Sequence, residues 1–143
     1  MLHRQMEEWT GIADADRHLG RPVPLPTAAL PLARWVEVRP LAPQAVEVEW
    51  NLDDTRAGAR GRLALYAGTS APAERVWDVE PRPVALGPHA TAQHRVLALE
   101  EAEPALKPAH ELRWEHDGLH LRLTAQGPWA VDELVALAAS VRA

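Results

Sequence analysis

Read for the placement of its apolar residues, the chain divides into a helical opening, a proline-rich bridge, a strand-forming middle and a closing helix. Leu2, Met6 and Trp9 recur at helical spacing. The stretch "TGIADADRHLG" predicts a second short helix: Thr10 can cap it, Ile12, Ala15 and Leu19 form its stripe, and Gly20 suits the left-handed residue beyond its end. In "RPVPLPTAALP" four prolines remove backbone donors and bias the residues before them toward extended geometry, so a polyproline-like ribbon over the surface is expected.

The middle of the chain alternates in period two. "AVEVEWNL" sends Val46, Val48, Trp50 and Leu52 to one side and Glu47, Glu49 and Asn51 to the other, as a strand with one wet face requires. "RWVEVR" precedes it, and "RLALYAG" follows the polar loop "DDTRAGARG" as an antiparallel partner, with Leu63 and Leu65 inward. "ERVWDVEPRPVAL" carries Pro81 and Pro83, which suits an edge strand. "AQHRVLALE" is a further strand that aligns Leu97 with Leu99, and "EEAEPALKPAH" reads as a loop.

The run "ELRWEHDGLHLRLTAQ" raises a question of chemistry, because His116 and His120 flank Asp117 at a spacing that one metal ion could use on a helix. Asp117-Gly118 between alternating runs instead predicts a two-residue hairpin turn. The register then sets His116 against Leu119, Glu115 against His120, Trp114 against Leu121, Arg113 against Arg122 and Leu112 against Leu123. Leu112, Trp114, Leu121 and Leu123 share one face, and the two histidines point to opposite faces, so they cannot grip one metal. Arg113 and Arg122 repel across the pair, with Glu111 and Glu115 diagonal to them as offsetting charges.

"GPWAVDELVALAASVR" then predicts an amphipathic helix with Leu134, Leu137, Ala138 and Val141 on one stripe and Asp132 and Glu133 in its first turn, where the helix dipole favours acids. The expected fold is a single α+β domain over residues 1–143: a curved antiparallel sheet of about six strands, with N-terminal and C-terminal helices packed on one face.

Composition narrows the function. A chain of 143 residues supports one core, and a net charge of −5 disfavours nucleic acid, whose binders present a basic face. There is no cysteine, which removes thiolate metal sites, disulfides and cysteine nucleophiles. No apolar run approaches the roughly 20 residues that span a bilayer, so no membrane span is expected. The opening "MLHRQMEEWTGIADAD" lacks a signal-peptide pattern, which implies a cytoplasmic protein if Met1 is the native start and an extracytoplasmic one if an upstream anchor precedes it.

The two ends of the chain, residues 10–67 and 109–142, carry a likeness. A helix leading into "RPVPLPTAALP", paired strands, a strand with Trp114, a turn with Gly118, and a last helix with Glu133, Leu134, Ala138 and Ser140 resemble a bacterial family. That family comprises the extracytoplasmic sensor domains of anti-sigma factors and the lipoprotein-sorting (LolA/RseB-like) proteins. The resemblance implies a sheet whose helix-covered side holds a lipid chain or a peptide, and it brings no catalytic residues. Ala130 departs from the Ser or Thr that the family places as the cap of the last helix, so that helix start should be less firmly fixed.

Reactive constellations are weak. Ser70 lies in a Gly-Thr-Ser-Ala-Pro loop without a nucleophile elbow, and Ser140 belongs to the last helix. Asp53 with Asp54 and Glu100 with Glu101 read as solvated loop charge, and His89, His94 and His110 as surface histidines before a shared metal site. Trp50 and Trp114 belong to core faces; Trp35 shares its face with Glu37 and Arg39 and should be exposed or at a rim. Trp129 can staple the last helix to the sheet or line a groove mouth. The expectation is a non-catalytic binding or sensor module for a hydrophobic or peptide-like ligand or a protein partner, with Trp35, Trp114, Leu121 and Trp129 as candidate ligand contacts and with no cofactor and no metal. The alternative is a structural interaction domain with a filled core that meets its partner through the proline ribbon or an edge strand, as a homodimer in one form.

Overall fold

The alternation read from the sequence becomes the two faces of one seven-stranded antiparallel sheet. A computed structural model describes residues 2–30, 33–54, 59–72, 80–88, 90–97, 109–127 and 129–142. Helix α1 (Leu2–Leu19) is followed by β1 (Leu25–Pro26), β2 (Ala33–Leu41), β3 (Ala45–Asp54) and β4 (Ala59–Gly68). Then come β5 (Arg82–Ala85), β6 (Thr91–Leu97), β7 (Ala109–His116), β8 (Leu119–Gln126), helix α2 (Val131–Ala139) and β9 (Val141–Arg142). The large sheet has the order β2-β3-β4-β8-β7-β6-β5, and β1 pairs with β9 in a separate two-stranded sheet.

Two rows across the sheet show how register separates the faces. Val38, Val48, Leu65, Leu123, Leu112 and His94 are successive cross-strand partners from β2 to β6. One step away, Arg39, Glu47, Tyr66, Arg122, Arg113 and Gln93 form the parallel row on the other side. Side chains alternate at each step along a strand, so the first row belongs to the buried face and the second to the polar one. Leu65, Leu112 and Leu123 are each about 1% exposed, and each such leucine stabilises the fold by about 1.5–3 kcal/mol relative to exposure.

Both helices cover the apolar face. Ala15 and Leu19 of α1 and Leu134, Leu137 and Ala138 of α2 join the same buried cluster as the strand residues. Where two N-terminal helices are expected, α1 is continuous, and Thr10 lies inside it rather than capping a second helix. An interior glycine costs a helix only about 1 kcal/mol, whereas a break would leave two more helix ends with unsatisfied backbone groups. Gly20, at φ 81°, ends the helix in the left-handed conformation as expected.

The proline segment is extended and mostly outside the large sheet, but it is pinned rather than loose. Ser140 at the end of α2 accepts from the backbone N–H of Thr27 (3.2 Å) and Ala28 (3.1 Å), and Thr27 Oγ1 donates back to the Ser140 carbonyl at 2.7 Å. Leu25 and Pro26 pair with Arg142 and Val141. Val141 therefore buries itself from β9, two residues past the end of the helix on whose stripe it was expected.

The sheet has seven strands instead of about six, because the two runs on either side of Asp117-Gly118 and the edge strand β5 all join it. β5 lies at an edge of the sheet, which suits its Pro83. Asp53 and Asp54 extend β3, paired with Arg60 and Ala59, and so end a strand rather than sit in a loop. In β6 the residues on the helix side are Ala92 and His94, partnered to Val84 and Leu112, so its register is one step off the Leu97 and Leu99 alignment. Leu99 and the carboxylates Glu100 and Glu101 lie outside the described residues.

The hairpin between β7 and β8 has the expected register at every pair from His116 with Leu119 to Leu112 with Leu123. Asp117 (φ 51°) and Gly118 (φ 75°) both take positive φ, as a two-residue turn of this type demands. A Cβ on Gly118 would meet nothing within 4 Å, so the penalty for adding one is conformational alone. Gly118→Ala is therefore expected to lower stability by about 1 kcal/mol in a urea titration, with no change in the slope of the transition.

Candidate functional site

The last helix starts from a strand end that a tryptophan locks in place. Trp129 is 7% exposed, and its indole N–H donates to the Gln126 carbonyl at 3.1 Å. Gly61 of β4 lies beneath the ring: a Cβ there would stand 3.4 Å from Trp129 Nε1, so the absent side chain makes room for the indole. Ala130 offers no side-chain cap, and Glu133 alone reaches back to the Ala130 N–H at 3.3 Å. Trp129 thus staples α2 to the sheet, one of the two roles foreseen for it.

From that anchor α2 crosses the apolar face, and its far end stops short of the β5–β6 turn. A cleft of about 390 Å³ remains there, walled by Leu86 and Pro88 of the turn, Trp114 of β7, and Ala138, Val141 and Arg142. Leu121, the cross-strand partner of Trp114, is 1% exposed and sealed, whereas Trp114 keeps 8% of its surface. Among the described residues none accepts a hydrogen bond from the Trp114 indole N–H, unlike that of Trp129. A wall with an apolar part and a donor that no described residue uses suits a ligand that has a hydrocarbon body and an oxygen acceptor. Arg142 donates to the Ala139 and Val141 carbonyls, both at 2.8 Å, which holds a cation at the cleft wall.

A second cleft, of about 590 Å³, is walled by Ala71 and Pro72 with Thr91, Gln93, Arg113 and Glu115, together with the hairpin tip His116, Asp117 and His120. Ala90, Trp114 and His116 border both clefts. The second one is polar. His120 Nδ1 lies 3.5 Å from Glu115, and His116 Nε2 lies 3.3 Å from Asp117, so each histidine stands beside its own carboxylate rather than with the other. This is what the hairpin register requires of residues on opposite faces.

The polar face of the sheet is organised by Glu47. Its carboxylate accepts from Arg39 Nη2 at 2.7 Å and from Arg122 Nη2 at 2.9 Å, and Arg39 also reaches Glu49 at 2.8 Å. Burial, the largest single influence, pushes the Glu47 carboxyl up, but the hydrogen bonds and charges of the two arginines together hold it below the usual range. Arg122 lies over the Tyr66 ring at 5.4 Å. Arg113 is held instead by Glu111, at 2.7 Å, and by the Pro72 carbonyl, at 3.1 Å. The charge that neutralises Arg122 is therefore Glu47 of β3, not the diagonal Glu115, because β3 lies two strands away on the same face and its glutamate is long enough to reach.

His94 and His110 come together on the helix side of β6 and β7. Their rings stack with centroids 5.3 Å apart, and His94 Nε2 lies 3.0 Å from His110 Nδ1 in a single shared hydrogen bond. His110 is 6% exposed and its Nε2 has no partner among the described residues. Burial pushes both imidazoles below the usual histidine range, followed by the nearby Arg82 charge for His94 and by His94 for His110. His110 is thus a core residue rather than a surface one. His89 lies outside the described residues. Among the described residues no three histidines or carboxylates are grouped for a metal.

The structure brings only part of the sequence-derived set together. Trp114 borders both clefts, and Leu121 lies beneath it and borders the second. Trp35 stands on edge strand β2, paired with Asn51 on the polar face and 44% exposed, away from both. Trp129 is engaged with Gly61 and Gln126. The cleft residues that the sequence did not single out include Leu86, Pro88 and Arg142; the proline beside a glycine signals a turn, but nothing in the chain says which helix end it meets. Ser140 anchors the proline segment, and the Ser70 carbonyl accepts the Tyr66 hydroxyl at 2.8 Å. Comparison of the chain with protein-family models, with curated proteins and with solved structures finds no match.

The histidine pair gives a pH signature. Both imidazoles are favoured neutral in the folded chain, so the unfolded chain binds more protons below its ordinary pKa near 6.5. Their contribution is therefore complete above about pH 6.5 and lost as the pH falls below it, whereas the loss belonging to Glu47 begins only near its ordinary value of 4.5. Urea titrations at pH 7.5, 6.0 and 5.0 should show falling stability, and His110→Leu should flatten that fall; an unchanged pH slope in the variant would show that the pair is not its source.

Proposed function

We propose that the protein is a non-catalytic binding module that takes a hydrophobic or peptide-like ligand in the cleft beside Trp114. The observation that carries this reading is a tryptophan mostly sunk in the core whose exposed edge lines the mouth left by α2, and whose N–H no described residue accepts. Roughly 390 Å³ is at the lower end of the range of small-molecule sites. Leu86, Pro88, Ala138 and Val141 give the walls their apolar part, and His116 and Arg142 a polar part. The reading also draws on the likeness of the chain ends to lipoprotein-sorting and anti-sigma sensor domains, carried by Trp114, Gly118, Leu134, Ala138 and Ser140. In that family the helix-covered side of the sheet is where a lipid chain or peptide is held.

No membrane attachment is needed for this role, and among the described residues no helix is long and apolar enough to cross a membrane. Native mass spectrometry of the purified protein should reveal a copurified small molecule, and sodium decanoate serves as a probe of the cleft. Trp114→Phe keeps most of the buried ring and removes the donor, so decanoate binding by calorimetry should weaken roughly 5–10-fold, near 1 kcal/mol, with little change in melting temperature. Unchanged decanoate affinity in that variant would place the ligand elsewhere.

A second reading, a protein-interaction domain, is favoured by Trp35. It stands 44% exposed on β2, a nine-residue strand at the outer edge of the sheet. Such an edge presents unpaired backbone groups to a second copy or another protein. If the edge mediates a homodimer, light scattering should give twice the monomer mass for the parent chain and the monomer mass for Trp35→Lys.

A further inference from the structure

The two clefts meet where the sheet divides. Pairing of β6 with β7 runs from Leu97 with Ala109 only as far as Gln93 with Arg113. Beyond that point Thr91 and Ala92 stay with β5, opposite Ala85 and Val84, while Trp114, Glu115 and His116 stay with β8, opposite Leu121, His120 and Leu119. Continued by two steps, that register would set Ala92 against Trp114 and Thr91 against Glu115, and neither pair forms.

The turn at Asp117-Gly118 fixes which backbone groups this leaves unused. In an antiparallel hairpin closed by two residues, His116 exchanges hydrogen bonds with Leu119, and the pairs then alternate. Trp114 therefore bonds β8, whereas the N–H and C=O of Glu115 point away from β8 toward the gap. By the same alternation the backbone groups of Thr91 point into the gap from the other side. Each wall of the division thus offers one residue's donor and acceptor, and the three residues common to both clefts, Ala90, Trp114 and His116, lie along it.

The surroundings on the two faces differ in chemistry. On the helix side the apolar part of the wall is Leu86, Trp114, Ala138 and Val141, with the Arg142 cation held beside it by backbone carbonyls. On the other side Arg113 is neutralised by Glu111, leaving Glu115 and Asp117 as carboxylates that are 75% and 66% exposed. An extended peptide sends successive side chains to opposite faces.

We propose that a peptide in extended conformation lies in the gap between β6 and β7, bonds the backbone of Glu115, and alternates apolar with basic side chains. The apolar side chain enters the cleft beside Trp114, and the neighbouring Lys or Arg meets Glu115 and Asp117. Addition of a strand to a free sheet edge supplies affinity through the backbone, and the alternate pockets supply sequence preference. The inference rests on the binding role proposed for the Trp114 cleft and names the ligand class that such a cleft would take.

Fluorescence anisotropy with a labelled Lys-Val-Lys-Val-Lys-Val peptide tests it on the full chain. Saturable binding is expected, weakened at least tenfold when every Lys is replaced by Glu. It should weaken by a similar factor when the same residues are arranged as a Lys block followed by a Val block. N-methylation of the central Val or Lys amide should also weaken binding at one of the two positions, because only one of them faces the Glu115 backbone. Charge reversal in Glu115→Lys/Asp117→Lys should then restore affinity for the Glu-Val peptide. If decanoate binds in a Trp114-dependent manner while the Lys-Val peptide binds no better than its block arrangement, the peptide inference is overturned and the cleft reading stands. Failure of both probes would remove both.

Discussion

The turn at Asp117-Gly118 fixes the register of the central hairpin, and because pleated strands alternate, that register assigns every neighbouring side chain to a face. A slip of one residue would exchange Leu112, Trp114, Leu121 and Leu123 for Glu111, Arg113, Arg122 and His120 under the helices. Burying those charges without partners would cost several kcal/mol each, far more than the fold can spare. The same constraint sends the Glu115 backbone toward the gap beside β6. The polar face, the helix-covered core and the divided edge are thus consequences of one two-residue turn propagated across the sheet.

The two faces are stabilised by different physics. On the helix side, aliphatic burial around Leu65, Leu112 and Leu123 supplies the driving force, and α2 is held where Trp129 seats on Gly61. On the other, Glu47 joins Arg39 and Arg122 over a span of four strands, and Glu111 and the Pro72 carbonyl hold Arg113. Partly buried charges of this kind are costly when one partner is removed, so the network favours the correct strand order more than it adds net stability. The buried His110 and half-buried His94 stand apart, since they impose polar groups on the apolar side at the end of β6 and β7 and share one hydrogen bond between them.

The binding role proposed for the molecule follows from an incomplete covering rather than from reactive groups. α2 is nine residues long, and Leu121 is sealed while the edge of Trp114 is not. The chain then turns into β9, whose pairing with Leu25 and Pro26 holds Val141 and Arg142 at the cleft wall. Ser140, at the junction, secures the proline segment that makes this pairing.

Much of this was legible in the sequence because it is local or periodic. The hairpin register, the opposite facing of His116 and His120, the strand faces of β3 and β4, the edge position of β5 and the stripe of α2 all follow from alternation, helical spacing or proline chemistry within a few residues. Tertiary structure alone decided what meets across distance. Leu86 and Pro88 join Arg142 beside Trp114, Glu47 reaches Arg122, His110 becomes a core residue beside His94, and Trp35 and Trp129 separate from the cleft. The reason is physical: a period fixes which way a side chain points, whereas its neighbour there depends on strand order and helix placement, which the whole set of buried contacts selects together.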